Sequence, residues 1–77
     1  MEILLFAGLA EAVGTERVRL DGEPPRTAGE LEGRVREACP ALGTRPFRVA
    51  VNQRYAAPDD PVDPTDEVAL IPPVSGG

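Results

Sequence analysis

Short apolar runs lie near both ends of the chain. Glu2–Ala7 reads "EILLFA" and Glu67–Ile71 reads "EVALI", and runs of this length bounded by polar residues predict buried β-strands. Between them, Glu16–Leu20 reads "ERVRL", in which Val18 and Leu20 fall on one side of an extended chain. This period of two predicts a half-buried strand.

Two further segments predict extended structure and turns. Phe47–Asn52, "FRVAVN", is apolar enough for another strand, and Asn52-Gln53 favours a tight turn into a short strand at "RYA". The segment "GLAEAVG", bounded by Gly8 and Gly14, predicts a long turn with room for one helical turn. The acidic stretch "PDDPVDPTDE" predicts a loop.

One segment has the period of an α-helix. Thr27 and Glu30 form a capping-box pattern at its start. An apolar stripe follows, made of Ala28, Leu31, Val35, Ala38 and Leu42. Pro40 interrupts the helix, so Leu42 is expected beyond its end. Gly29 and Gly33 each weaken the helix by roughly 1 kcal/mol relative to Ala, so tertiary packing must stabilise it.

The predicted element order is β-β-α-β-(short β)-β, which belongs to the α+β class. It predicts a β-grasp fold, with a mixed sheet of four to five strands and one main helix packed on one face. The first and last strands are expected side by side at the centre, running parallel. We assign residues 1–71 to this domain and residues 72–77 to a C-terminal tail.

A single helix leaves the second face of the sheet without a cover. If Ile3, Leu5, Val68 and Leu70 join Leu31 and Val35 in the core, alternation directs Leu4, Phe6 and Ile71 outward, and Tyr55 can join them. An exposed apolar patch of this kind predicts an interface. The alternative is that the long loops fold over this face.

Composition and charge exclude several functions. The chain has 77 residues, a net charge of -5 and a pI near 4.5, which disfavours nucleic acid and anionic membranes. No apolar run is long enough to span a bilayer, and the start lacks the pattern of a signal peptide, so we expect a cytoplasmic protein.

The inventory of reactive side chains is small. The chain has no histidine and one cysteine, Cys39, which excludes an internal disulfide, a Cys/His metal site and a Ser-His-Asp triad. Cys39 is expected to be a small buried apolar residue rather than a reactive thiol. No P-loop is present. The carboxylates of the acidic loop are expected to be solvated rather than to bind a metal; they are Asp59, Asp60, Asp63, Asp66 and Glu67.

The C-terminal tail carries the most specific signal. Pro72 and Pro73 cannot continue a sheet and favour an extended chain. The tail comprises Pro72, Pro73, Val74, Ser75, Gly76 and Gly77, and these six residues reach roughly 20 Å when extended. Gly76 and Gly77 carry no Cβ, so the end fits a narrow channel, where its carboxylate can be activated as an acyl-adenylate. The alternative is a frayed terminus without a function.

The whole chain resembles the small subunit of molybdopterin synthase, the MoaD-type sulfur carriers with a ubiquitin-like fold. The resemblance rests on "LLFAGLAEAVGT", "VAVNQ" and above all "DEVALIPPVSGG". The chain departs from many relatives in having Ile71 where an aromatic residue is frequent, and "DPTDE" where "DGDE" is usual.

The resemblance implies a mechanism and two partners. An adenylyltransferase related to ubiquitin-activating enzymes would use ATP to adenylate Gly77, and a sulfur donor would convert it to a thiocarboxylate. The tail, Pro72 to Ser75 with Gly76 and Gly77, would insert into the large synthase subunit and pass sulfur to cyclic pyranopterin monophosphate. Phe6, Tyr55 and Ile71 would contact that subunit in a heterotetramer. The chain would bind no cofactor and would not be an enzyme on its own.

Three alternatives share parts of this argument. The chain could carry sulfur to the thiamine thiazole or to a transfer RNA base, as ThiS- and Urm-type carriers do. It could be a ubiquitin-like protein modifier, and the lack of lysine would then prevent ordinary lysine-linked chains of this protein. It could also be an interaction domain whose tail has no chemistry.

Overall fold

The computed structural model describes residues 1–73. In chain order the elements are β1 (Glu2–Leu5), α1 (Ala7–Val13), β2 (Arg17–Arg19), α2 (Ala28–Ala38), a 3-10 turn (Pro40–Leu42), β3 (Arg48–Val51), β4 (Arg54–Tyr55) and β5 (Val68–Ile71). The strands form one sheet in the order β2-β1-β5-β3-β4. β1 and β5 are parallel, and the other pairs are antiparallel. The predicted β-grasp fold and its central parallel pair are confirmed.

The core lies between the sheet and α2, where the alternation placed it. Ile3, Leu31, Val35, Val68 and Leu70 are completely buried, and Leu5 is 2% exposed. Burying a side chain of this size contributes about 1.5–3 kcal/mol. The inward faces of β1 and β5 therefore hold the centre of the fold, as the sequence predicts.

The segment after β1 is more helical than the sequence predicts. In place of a turn with one helical turn, α1 has seven residues and begins at Ala7, ahead of Gly8. It ends at Gly14, whose φ of 90° is left-handed and whose N–H donates to the Ala10 carbonyl at 2.8 Å. Leu9 is 2% exposed. The packing of Leu9 in the core, with Ala10 and Val13 partly buried against it, stabilises a helix in this glycine-bounded segment.

The start and end of α2 follow the predicted signals. The Thr27 hydroxyl accepts from the Glu30 N–H at 3.2 Å, which confirms the cap. Pro40 begins the 3-10 turn, and Leu42 lies beyond the helix and is fully buried. Ala38 is exposed, contrary to its place in the predicted stripe, because it lies at the edge of the stripe in the last helical position. Cys39 is 7% exposed and fills the adjoining buried position.

The hairpin turn between β3 and β4 is confirmed at Asn52 and Gln53. Both have left-handed backbones, with φ of 52° and 68°, as a type I′ turn requires. Asn52 also ties the turn to the start of β5. Its side-chain oxygen accepts from the Glu67 N–H, and its side-chain nitrogen donates to Asp66, both at 3.0 Å.

The acidic loop packs against the start of α2, a contact that the sequence does not reveal. The Ala28 N–H donates to the Asp60 carbonyl at 3.0 Å, and the Gly29 N–H donates to the Pro58 carbonyl at 2.9 Å. A Cβ on Gly29 would lie 3.1 Å from the Pro58 carbonyl oxygen. These bonds satisfy two of the helix's free N–H groups and require a small residue at position 29.

Replacing the two glycines of α2 should therefore give different results. Gly33→Ala should raise the free energy of unfolding by up to about 1 kcal/mol, because Ala favours the helix and open space surrounds the new methyl. Gly29→Ala should gain clearly less or destabilise, because its methyl crowds Pro58. Urea unfolding of the two variants measures the difference. Equal stabilisation by both would contradict the close packing of the loop.

The cap of α2 gives a second test. Thr27→Ala should lower the free energy of unfolding by about 1 kcal/mol, because the Glu30 N–H loses its acceptor. Thr44→Ala removes the same atoms from an exposed loop residue and should change stability by less than about 0.5 kcal/mol. The comparison uses urea midpoints at an unchanged denaturant slope. Equal losses in the two variants would refute the capping role.

Candidate functional site

The sheet face opposite α2, here called the outer face, carries a row of side chains that crosses all five strands. Pairing in register places Leu4 beside Arg17 and Ala69, and places Ala50 beside Ala69 and Tyr55. The row therefore runs from a charged edge at β2, across one leucine and two alanines, to an aromatic residue at β4.

A depression of about 420 Å³ occupies the centre of the outer face. Its lining consists of Phe6, Ala50, Gln53, Tyr55, Glu67, Ala69 and Ile71. Ala50 and Ala69 form the floor, since they pair directly and are 4% and 8% exposed. Phe6 and Tyr55 rise above it, at 47% and 54% exposed. Short side chains flanked by large aromatic ones give a shape that can accept an apolar side chain of a partner.

The three residues predicted for an interface surround this one depression. Phe6 and Tyr55 are exposed, Ile71 is half-buried, and Leu4 lies just outside, beside Phe6. In the described part of the chain, the long loop before β5 packs on α2, which leaves the outer face open. The predicted alternation is confirmed. The contact of these residues with a large subunit stays a prediction.

Several lining residues were not singled out from the sequence. Ala50 and Ala69 could have been found from alternation, because they share a face with Tyr55 and Ile71. Glu67 could have been found in the same way, because it lies two residues before Ala69, whereas Gln53 could not, because its position depends on the turn after β3. Arg48 lies over Tyr55, with its guanidinium carbon 4.2 Å from the ring centroid.

The C-terminal segment leaves the sheet at one end of the depression. β5 ends at Ile71, Pro72 is half-buried and Pro73 is exposed. The Phe6 N–H donates to the Leu70 carbonyl at 3.3 Å, which joins the Phe6 wall to the end of β5. The predicted tail residues Val74, Ser75, Gly76 and Gly77 lie outside the described residues.

The thiol and the acidic loop have structural roles. Burial raises the pKa of the Cys39 thiol, which keeps it protonated and a poor nucleophile. The Thr65 hydroxyl and the Thr65 N–H both donate to the Asp63 carboxylate. These two hydrogen bonds, of which the hydroxyl's has the larger effect, lower the pKa of the Asp63 carboxyl. Asp60 and Asp66 accept from loop N–H groups at 2.8 Å.

Residues 1–73 contain no cluster of three or more potential metal ligands, and no helix among them could cross a membrane.

Comparison with known proteins gives the family. The model of the ThiS family matches residues 3–77. The chain is 39% identical to small archaeal modifier protein 1 of Haloferax volcanii over 87 positions, covering 100% of both chains. It is 31% identical to the molybdopterin synthase sulfur carrier subunit of Escherichia coli over 80 positions, covering 100% of this chain and 99% of the relative.

Solved structures share the fold. The crystal structure of small archaeal modifier protein 1 from Haloferax volcanii superposes with a TM-score of 0.83 at 37% identity, covering 99% of this chain and 97% of that one. The chain also superposes, with a TM-score of 0.65, on a chain of the complex of subunits 1 and 2 of the molybdopterin-converting factor from Helicobacter pylori. That match has 20% identity and covers 99% of this chain and 96% of that one, which supports the fold alone.

The sheet order, the open outer face beside the end of β5, and a family match over nearly the whole length agree with one another, and the chain belongs to the ThiS family of ubiquitin-like sulfur carriers.

Proposed function

We propose that this protein is the sulfur-carrier subunit of a molybdopterin synthase. The observation that carries the proposal is the position of β5, which ends at Ile71 in the lining of the open apolar depression, immediately before Pro72 and Pro73. A partner that docks on the outer face is thereby placed next to the start of the tail. Identity of 31% with a molybdopterin synthase sulfur carrier subunit over the full chain supports the same function.

The chemistry belongs to the terminal carboxylate of Gly77. In the proposed sequence, this carboxylate attacks the α-phosphorus of ATP on an activating enzyme and releases pyrophosphate. Sulfide, or an equivalent from a sulfur donor, then attacks the acyl carbon and expels AMP, which leaves a thiocarboxylate. The small subunit next inserts its tail into the large subunit, where the sulfur is transferred to cyclic pyranopterin monophosphate. The catalytic groups for these steps are supplied by the partners.

A protein modifier is the second candidate. Identity of 39% with small archaeal modifier protein 1, over the whole of both chains, favours it. Both functions need an activated Gly77, and they differ in the nucleophile that attacks the acyl group: a sulfur species for the carrier, and a lysine amine of a target protein for the modifier. High-mass adducts on a denaturing gel, formed with ATP and cell extract, would favour the modifier. Their absence, together with conversion of the precursor to molybdopterin by the carrier and its large subunit, would favour the synthase.

The first experiment is intact-mass spectrometry after incubation with ATP, a cognate activating enzyme and a sulfur source. The expected result is a mass gain equal to replacing one oxygen by sulfur, located at Gly77. Removal of Gly76 and Gly77 should abolish the gain and leave the melting temperature unchanged, because the buried core of residues 1–73 ends with Leu70 in β5. Gly77→Ala should abolish sulfur transfer to the precursor in the same way.

Cys39→Ala is the matched control for the mass experiment. It removes the only other sulfur-reactive side chain of the protein and should retain the full mass gain. A gain that disappears in Cys39→Ala, or that persists without the terminal glycines, would contradict Gly77 as the carrier. Absence of a gain in the intact protein, with an activating enzyme shown to act on a control carrier, would refute sulfur carriage by this chain.

The outer face should bind the large subunit. Phe6→Arg and Ile71→Arg should each weaken binding by at least about tenfold, because each places a charge among apolar groups that docking removes from water. Ala41→Arg adds the same charge at an exposed position in the 3-10 turn and should have little effect. Titration calorimetry measures the affinities. Unchanged binding by both outer-face variants would refute the interface.

A further inference from the structure

The outer face carries opposite charges toward the two ends of its depression. Arg48 pairs with Ile71, at the end where the tail leaves the sheet. Glu67 lines the other end, just before β5 begins. At about 3.3 Å per residue, the segment from Glu67 to the end of β5 at Ile71 spans roughly 13 Å. The floor between the two ends is apolar. Along β5, the face is therefore positive near Ile71, apolar in the middle and negative at Glu67.

The negative end is held in place by the turn after β3. The Asn52 N–H donates to the Glu67 carbonyl at 2.7 Å, and the Asn52 side chain accepts from the Glu67 N–H at 3.0 Å. Two hydrogen bonds therefore fix the backbone of Glu67. Gln53 lines the depression next to it from a left-handed backbone with φ 68°, a position where glycine is more favourable.

The positive end is held by an aromatic ring. The Arg48 guanidinium rests on Tyr55, a wall of the depression, at 4.2 Å from the ring centroid. A guanidinium held over a ring can still offer its N–H groups to a carboxylate. Neither Arg48 nor Glu67 belongs to an ion pair within residues 1–73; the pairs there are Arg17–Glu2, Arg19–Asp21 and Arg36–Glu32.

We propose that this order of charges sets the direction in which the large subunit docks on the outer face, an inference that rests on the proposed function. The large subunit would present a carboxylate to Arg48, an apolar side chain to the floor of Ala50 and Ala69, and a basic side chain to Glu67. Docking in the reverse direction would bring like charges together at both ends. The apolar floor supplies affinity in either direction, so the charges select the one that places the tail in the large subunit.

A charge swap that conserves net charge tests the proposal. In the double variant Arg48→Glu with Glu67→Arg, the order on the face is reversed and the net charge stays at -5. Its affinity for the large subunit, measured by calorimetry at low salt, should fall at least about thirtyfold, since each end then meets a like charge. The matched control is Arg45→Glu with Asp59→Arg, an equal swap between two exposed loop residues outside the depression, which should change affinity less than about twofold.

A conservative variant tests the same proposal if the double variant does not fold. Glu67→Gln keeps the size of the side chain, and it should slow association with the large subunit about fivefold at low salt. That difference should shrink in 1 M salt, where the screening length is about 3 Å. Asp59→Asn should associate at nearly the wild-type rate.

The possible results separate the two proposals. Suppose that the wild-type protein binds the large subunit. If the outer-face swap then leaves the affinity unchanged, or if the two swaps lower it equally, the inference is overturned and the proposed function stands. A wild-type protein that does not bind the large subunit at all would overturn both. An unchanged association rate for Glu67→Gln would show that Glu67 is not part of the docking surface.

Discussion

The parallel pairing of β1 with β5 is the contact on which the rest of the molecule depends. It joins the two ends of the chain at the centre of the sheet, with Ile3 opposite Val68 and Leu5 opposite Leu70. These four side chains face α2 and are at most 2% exposed. Because strand side chains alternate between faces, burying them on one side also places Leu4, Ala69 and Ile71 on the other. The core and the outer face therefore result from the same register.

This arrangement determines where the chain leaves the sheet. A central strand is the most firmly held part of a sheet, because hydrogen bonds fix it on both sides. β5 carries the chain to Ile71, and the prolines that follow cannot extend the ladder. The start of the tail is therefore fixed in space next to a surface that can bind a partner. In the proposed function, that surface positions the end of the chain for chemistry done by other proteins.

In the proposed docking, the outer face would combine two kinds of recognition. Its apolar floor and aromatic walls would supply affinity that does not depend on direction, while Arg48 and Glu67 would set the direction. The sequence predicted Leu4, Phe6 and Ile71 on this face from alternation, because a period of two fixes which residues share a face once the strands are known, and it expected Tyr55 to join them. It did not predict the place of Arg48 on Tyr55, or that of Glu67 at the edge of the depression. Those depend on which strands are neighbours and on the turn at Asn52.

What the sequence determined by itself is what local patterns control. The cap at Thr27, the turn at Asn52 and Gln53, and the inward and outward sides of β1 and β5 follow from side-chain hydrogen bonding, backbone preference and alternation. Only the tertiary structure decided the rest. The helix α1 is stabilised by Leu9, which packs in the core. The acidic loop packs against α2, where its carbonyl groups accept hydrogen bonds from the first N–H groups of that helix. Both depend on groups far apart in the chain, for which a single sequence carries no local signal.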